Sequence, residues 1–337
     1  MKAVVLRCPG DLAVSDVDAP RRVPDSVLVR VSRTGVCGTD LKIFSGAMPA
    51  ACPLVMGHEI AGHVVEGNGA SGVQPGDPVL VDPVLYCGTC FQCRAGRTNL
   101  CPEGGVIGRE VAGGFAELVA VPHTHVHRLP APVDIQTAPL IQVLTTCLHA
   151  QRRAHVSAGQ SVAVTGLGVS GQLHVQLAKA LGARPVIGTA RSGWKRGLAS
   201  QLGADVTAAS GRTGIEAAVE ATQGHGADIV IECTGHINAL ADAVAMVRPG
   251  GTVVLFGIYT ETQAALPFYQ LYYKEPTIVS ARAATPDDFP DAIALVAQGS
   301  IRLGPLVTQV FPFVRLREAL AMLEDDVDGR MKIILEH

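Results

Sequence analysis

Four cysteines, Cys87, Cys90, Cys93 and Cys101, fall within the short run YCGTCFQCRAGRTNLC. Their C-x2-C-x2-C-x7-C spacing is too tight to staple distant segments and suits one tetrahedral thiolate site of the kind Zn²⁺ prefers. An iron–sulfur cluster uses similar spacing. Four protein thiolates leave a metal no open position for a substrate, so the cluster predicts a structural centre and the chemistry must lie elsewhere. A second pattern is Gly166-Leu167-Gly168-Val169-Ser170-Gly171, which reads G-x-G-x-x-G. Among 37 glycines that run is weak alone, but here it follows the apolar stretch SVAVTG and opens the helix-like QLHVQLAKALGA. In that context it predicts a dinucleotide site. Gly166 would make the tight turn, Gly168 would let backbone approach a pyrophosphate, and Gly171 would let helix and strand pack closely. The N–H groups of Val169 and Ser170 would then face the phosphates.

An NAD site usually carries Asp or Glu about twenty residues further on, to bind the ribose 2′-hydroxyl. This chain has Thr189, Ala190, Arg191 and Ser192 there, with Lys195 and Arg196 close behind. Cations without a carboxylate suit a 2′-phosphate, so NADP(H) is favoured over NAD(H).

The elements that must position these residues form two textures. Through about residue 130, short apolar runs such as VLVRVSRTG, EIAGHVVEG, DPVLVDPV and GFAELVAVP alternate with Gly and Pro turns. They predict a β-rich domain. From about Leu144, SVAVTG, ARPVIGT, ADIVIECTG and TVVLFGIY read as strands separated by helical stretches, among them ALADAVAMVRPGG. That alternation predicts a doubly wound parallel sheet, so the fold class is α/β. A helix DDFPDAIALVAQG, a strand VTQVFPF, a helix LREALAMLED and a strand KIIL follow. The final Leu-Glu-His reads as the start of a tag and is set outside the fold. His123, His125 and His127 alternate and read as a solvated edge, and Cys147 and Cys233 read as small core residues.

Composition bounds the function. The 337 residues are 48% hydrophobic and 17% charged, with a net charge of −3 and no long charged run. Nothing favours nucleic acid or a membrane surface as partner. The longest apolar stretches fall far short of the roughly 18–20 residues that cross a bilayer. Nine cysteines without an export signal point to a reducing cytoplasm.

Two further stretches, Gly35-Val36-Cys37-Gly38-Thr39-Asp40 and Gly57-His58-Glu59, are each ordinary alone. Ahead of a four-cysteine lobe and a dinucleotide fingerprint, they resemble the zinc-dependent alcohol dehydrogenases of the medium-chain dehydrogenase/reductase superfamily. The resemblance spans essentially the whole chain. It implies a GroES-like catalytic domain over residues 1–143 and 282–337, with a structural zinc lobe at 86–101. It also implies a Rossmann domain over 144–281 and an active site in the cleft between the two. By resemblance, Cys37 and His58 are catalytic zinc ligands, and Glu59 is the carboxylate that in some members binds the metal or exchanges with its water. Thr39 bonds the substrate oxygen and Asp40 orients His58. Cys87, Cys90, Cys93 and Cys101 hold the structural zinc, and Lys332 lies where relatives keep a basic residue for the pyrophosphate.

The chain departs from the family pattern twice. Gln142 stands where relatives place Cys, Glu or Asp as third catalytic ligand, so its neutral oxygen would leave the metal a stronger Lewis acid, less tightly held. Lys42 replaces the usual relay histidine. Together these imply a zinc-dependent, NADP(H)-preferring dehydrogenase of a secondary alcohol or polyol and its ketone, assembled as a homodimer or homotetramer. Substrate-lining residues would come from 45–53 and from the stretch around Tyr259 and Tyr269 to Tyr273. Two alternatives remain at this stage: a zinc-free quinone or enone reductase of the same fold, and a non-catalytic dinucleotide-binding protein in which Gln142 marks a decayed site.

Overall fold

The computed structural model describes residues 1–21, 23–67, 72–259, 263, 265–325 and 328–337. The chain divides into two compact units: Met1–Thr145 with Ala283–Gln298 and Leu303–His337, and Thr146–Arg282 with Gly299–Arg302. The division falls inside the helix Pro139–Arg153.

The first unit is β-rich. Its seven-stranded sheet centres on the eleven-residue strand Ser26–Val36, which pairs antiparallel with Glu59–Glu66, Leu118–Pro122 and Lys332–Glu336. Because those pairings are antiparallel, the end of the central strand lies beside the starts of Glu59–Glu66 and Lys332–Glu336. Gly35 opposes Glu59 on one side and Ile334 on the other. Residues more than 270 positions apart thereby meet at one end of one sheet. Val27, Val29, Val31, Ile60, Val64, Val79 and Val81 alternate inward to form an apolar cluster of this unit.

The second unit is a six-stranded parallel sheet. Its order is Val206–Ala208, Val186–Thr189, Val162–Thr165, Ala227–Glu232, Val247–Leu255 and Thr277–Ser280. The first strand in sequence, Val162–Thr165, is wholly buried, as a strand covered on both faces must be. Strand order reverses between it and Ala227–Glu232, which makes that junction the topological switch point. Among the described residues no helix is long and apolar enough to cross a membrane.

Several local expectations change. The helix read over ALADAVAMVRPGG ends at Met246, and Val247 already begins the next strand. Pro249 has no N–H to continue a helix and disfavours helical geometry at Arg248, whose guanidinium instead pairs with Asp228 at 2.7 Å. Residues 248–251 then bulge out of the ladder between Val247 and Thr252. The run DPVLVDPV breaks at Asp82-Pro83 into Pro78–Val81 and Val84–Leu85. His123, His125 and His127 share no exposed edge, since His123–His125 is a 3-10 turn. His125 is buried with Nε2 3.0 Å from the Val84 carbonyl oxygen. His127 stacks on Phe289, and burial pulls its pKa down to about 4, keeping it neutral. The last three residues belong to the fold: Leu335 is core, Glu336 pairs with Arg33 at 2.7 Å, and His337 stacks on Phe313.

Candidate active site

Cys37 follows the central strand of the first unit and N-caps the helix Gly38–Phe44. Asp40, wholly buried, has two duties there. Its Oδ2 accepts the Cys37 backbone N–H at 2.8 Å, which caps the helix, and its Oδ1 lies 3.3 Å from Nδ1 of His58. The second contact makes Nε2 the imidazole nitrogen available to a ligand. Burial opposes a charge on His58, but Asp40 and the Cys37 side chain outweigh it and hold the pKa well above its ordinary value.

Gly57 permits the turn into His58. Its φ is +97°, and a Cβ there would stand 2.6 Å from the ring of Phe115. Glu59 is 1% exposed, and its Oε1 accepts from Lys332 Nζ at 2.6 Å; Lys332 is 4% exposed. The carboxylate lies over the backbone of Gly35, where a Cβ would fall 1.9 Å from Oε2. Donor atoms of Cys37, His58 and Glu59 all lie within 4.8 Å of one another. Gln142 is buried in the first turn of Pro139–Arg153. Thr39 occupies the first turn of Gly38–Phe44 and Lys42 its last, both partly exposed. A half-buried thiol with a buried imidazole and carboxylate is a donor set that fits Zn²⁺.

The cysteine lobe is a second cluster, with all four Sγ atoms within 4.8 Å of one another. Cys90 Sγ is 3.5 Å from Cys93 Sγ and 3.9 Å from Cys101 Sγ, and Cys87 Sγ is 4.0 Å from Cys93 Sγ. Disulfide sulfurs would be about 2 Å apart. Four thiolates around one zinc at about 2.3 Å lie about 3.8 Å from each other, which these separations match. Backbone N–H groups of Cys90, Cys93 and Cys87 point at Cys87, Cys90 and Cys101 sulfurs at 3.3–3.5 Å. Backbone N–H groups of Thr89 and Cys90 pull the Cys87 thiol down to about 6, while burial pushes Cys93 up to about 12. Full ionisation of the set therefore calls for a cation at its centre.

In the second unit, the strand Val162–Thr165 ends in the glycine turn. Gly166 has φ +86°, and a Cβ on Gly171 would stand 2.0 Å from the Gly166 carbonyl oxygen. Gly168 caps the helix Val169–Ala180, and nothing lies within 4 Å of where its Cβ would be. That leaves open space beside the N–H groups of the first turn, Val169 and Ser170 among them, which have no partner within the helix. After the strand Val186–Thr189, Arg196 folds back so that Nη1 donates to the carbonyls of Ala190 and Arg191 at 2.8 and 2.7 Å. The Ser192 hydroxyl caps the helix Gly193–Gln201. The buried Gln172 donates to the Leu167 and Lys195 carbonyls, bracing the glycine turn against this loop. No sequence pattern singled out Gln172. Cys147 is core, and burial pushes its thiol and that of Cys233 up.

Lys332 is where geometry and sequence reading diverge most. It lies in the first unit, buried, with its ammonium on Glu59. No local motif could have announced this, because the contact depends on two strands flanking a third.

Comparison with known proteins agrees in both units. Residues 23–131 match the alcohol dehydrogenase GroES-like domain, and residues 170–298 match the zinc-binding dehydrogenase domain. The chain is 30% identical to a D-arabitol-phosphate dehydrogenase of Enterococcus avium, over 100% of this chain and 97% of that one. A zinc-binding dehydrogenase of Sinorhizobium meliloti 1021, bound to NADP, superposes with TM-score 0.93 and 32% identity over 100% and 99% of the chains. A protein of Escherichia coli CFT073 described as a short chain alcohol dehydrogenase, complexed with NADH, superposes with TM-score 0.91 and 28% identity over 100% and 99%.

Proposed function

Since the chain belongs to the zinc-dependent alcohol dehydrogenase family of the medium-chain superfamily, we propose that it oxidises a secondary alcohol of the polyol class and reduces the matching ketone, with NADP(H) preferred over NAD(H). The observation that carries this reading is the convergence of the half-buried Cys37 with the buried His58 and Glu59. Bound Zn²⁺ and a nicotinamide supply, respectively, a Lewis acid and a two-electron acceptor.

The chain's own residues do the rest. Asp40 fixes the tautomer and direction of His58. Thr39, in the first turn after Cys37, takes the proton of the substrate hydroxyl while passing its own outward, a relay that Lys42, one turn further along, extends only as the free amine. Lys332 pairs with Glu59 and fixes its carboxylate within the ligand cluster. Gln142 contributes a neutral donor oxygen, so the set carries less negative charge than one completed by thiolate or carboxylate. The turn Gly166–Gly171 seats the pyrophosphate at a helix N-terminus. Arg191, Ser192 and Arg196 receive the 2′-phosphate. The polyol class is supported by the D-arabitol-phosphate dehydrogenase of E. avium.

The nine cysteines carry no disulfide, which suits a reducing cytoplasm. A homo-oligomer fits the open edge strand Thr277–Ser280, with Ile278 48% exposed. It also fits the exposed Phe268, Tyr269, Tyr272 and Tyr273 on the preceding helix.

The test is zinc content together with a panel of polyols, each assayed with NADP⁺ and with NAD⁺. About two zinc per chain and NADP⁺-dependent oxidation are expected; one zinc without turnover would overturn the catalytic metal. Arg191→Asp should cut the NADP⁺ over NAD⁺ preference by about tenfold or more. An unchanged preference would remove the 2′-phosphate assignment.

A further inference from the structure

We infer that Glu232 is the positioning residue of the nicotinamide half of the cofactor pocket, locking the two turns that border it. This rests on the dinucleotide reading above. Glu232 ends the strand Ala227–Glu232, opposite Thr165, and is 0% exposed. Its Oε1 accepts from the Thr234 N–H and hydroxyl at 2.6 and 2.5 Å. Its Oε2 accepts from the Gly235 N–H at 2.9 Å and the Tyr259 hydroxyl at 2.6 Å. Its backbone carbonyl takes the Phe256 and Gly257 N–H groups at 3.0 and 2.8 Å. One residue thus ties the turn after Ala227–Glu232 to the turn after Val247–Leu255.

The packing leaves that junction no slack. A Cβ on Gly257 would stand 2.1 Å from the Gly235 nitrogen and 2.8 Å from Glu232 Oε2. On the other side, the Thr234 methyl lies 2.4 Å from where a Cβ on Gly166 would be, so this turn abuts the pyrophosphate glycine.

All four partners of the carboxylate are donors. Each carboxylate oxygen takes one backbone N–H, a group that can only donate, so an amide in this place would turn its own N–H groups against one of them. Its place in the sheet says which half of the ligand it serves. A dinucleotide lies across the switch point, outside the carboxyl ends of the strands. The 2′-position reader follows Val186–Thr189 on one side of Val162–Thr165, and Glu232 stands on the other side. The half of the dinucleotide beyond the pyrophosphate then lies over the turns that Glu232 joins.

The test uses the zinc-loaded full chain and binding alone. Affinities for NADP⁺ and NAD⁺ are measured by calorimetry, and 2′-AMP and AMP serve as adenine-half probes by saturation-transfer NMR. Glu232→Gln should weaken both dinucleotides by about tenfold or more, the scale of a buried donor left opposed. The adenine-half probes should stay within about twofold, because their contacts lie across the switch point. Tyr259→Phe removes one donor to Glu232 and leaves the carboxylate its other three, so a smaller loss of about threefold is expected with the same split. Equal losses for dinucleotide and fragment would make Glu232 general scaffold and overturn the inference, as would no loss at all. Should Glu232→Gln fail to fold by circular dichroism, Tyr259→Phe decides the question by the same split. Wild-type protein that binds neither dinucleotide would instead sink the cofactor reading on which this one rests.

Discussion

Two sulfur-bearing clusters share the first unit and are built in opposite ways. The lobe takes four like donors from positions 87 to 101 and supports them with N–H groups of the same loop. The other cluster takes unlike donors from a strand end, a turn and a strand start, and braces them with Asp40 and Lys332. Four like thiolates close a coordination sphere and leave no place for a substrate. A mixed and less charged set leaves the metal reactive, and the protein must then supply rigidity from outside the set.

The sharpest way to break this contrast is to exchange one sulfur in each cluster. Cys37→Ser should lower turnover on the best alcohol by on the order of 10³-fold or more and remove about one zinc per chain, with folding by circular dichroism unchanged. Retained turnover in that variant would dissolve the distinction. Cys90→Ser should do the reverse. Its melting temperature should fall by roughly 5–10 °C with loss of the lobe zinc, while kcat/KM per folded molecule changes by less than about threefold. A collapse of kcat/KM with unchanged melting would show that the lobe takes part in the chemistry.

The smallest effect probes the segment that leads into the lobe. Asp82 is buried; burial, with the nearby Asp288 charge adding, raises its pKa to about 7 despite the Val84 N–H bond. A carboxyl raised on folding holds an extra proton in the folded state between about pH 4 and pH 7. Its contribution is complete below the unfolded value and is lost as pH rises through that window, by on the order of 2–4 kcal/mol. The fall in urea midpoint from pH 5 to pH 8 should therefore be smaller in Asp82→Asn than in the native protein. Equal pH sensitivity in both proteins would place the titration elsewhere.

How much of this was legible depended on sequence distance. The glycine turn could be read because its three glycines, the buried strand before them and the helix after them are contiguous. The cysteine lobe could be read because its donors share one loop. The end of a helix at Met246 was misread, since alanine-rich periodicity ran on past the point where Pro249 forbids it. The three alternating histidines were misread because period alone does not tell an exposed edge from a ring stacked on Phe289.

The sequence by itself determined the kind of molecule: a β-rich unit, a dinucleotide sheet, a thiolate lobe and the residue types for a mixed metal site. Each of those follows from spacing within a few turns of chain. Only the tertiary structure decided that Lys332 sits on Glu59, that Gly35 must lack a side chain beneath that carboxylate, and that Glu232 gathers four donors from two turns. Those contacts join strands that pair across long stretches of sequence, and no local pattern records which far residue will supply the partner a buried charge requires.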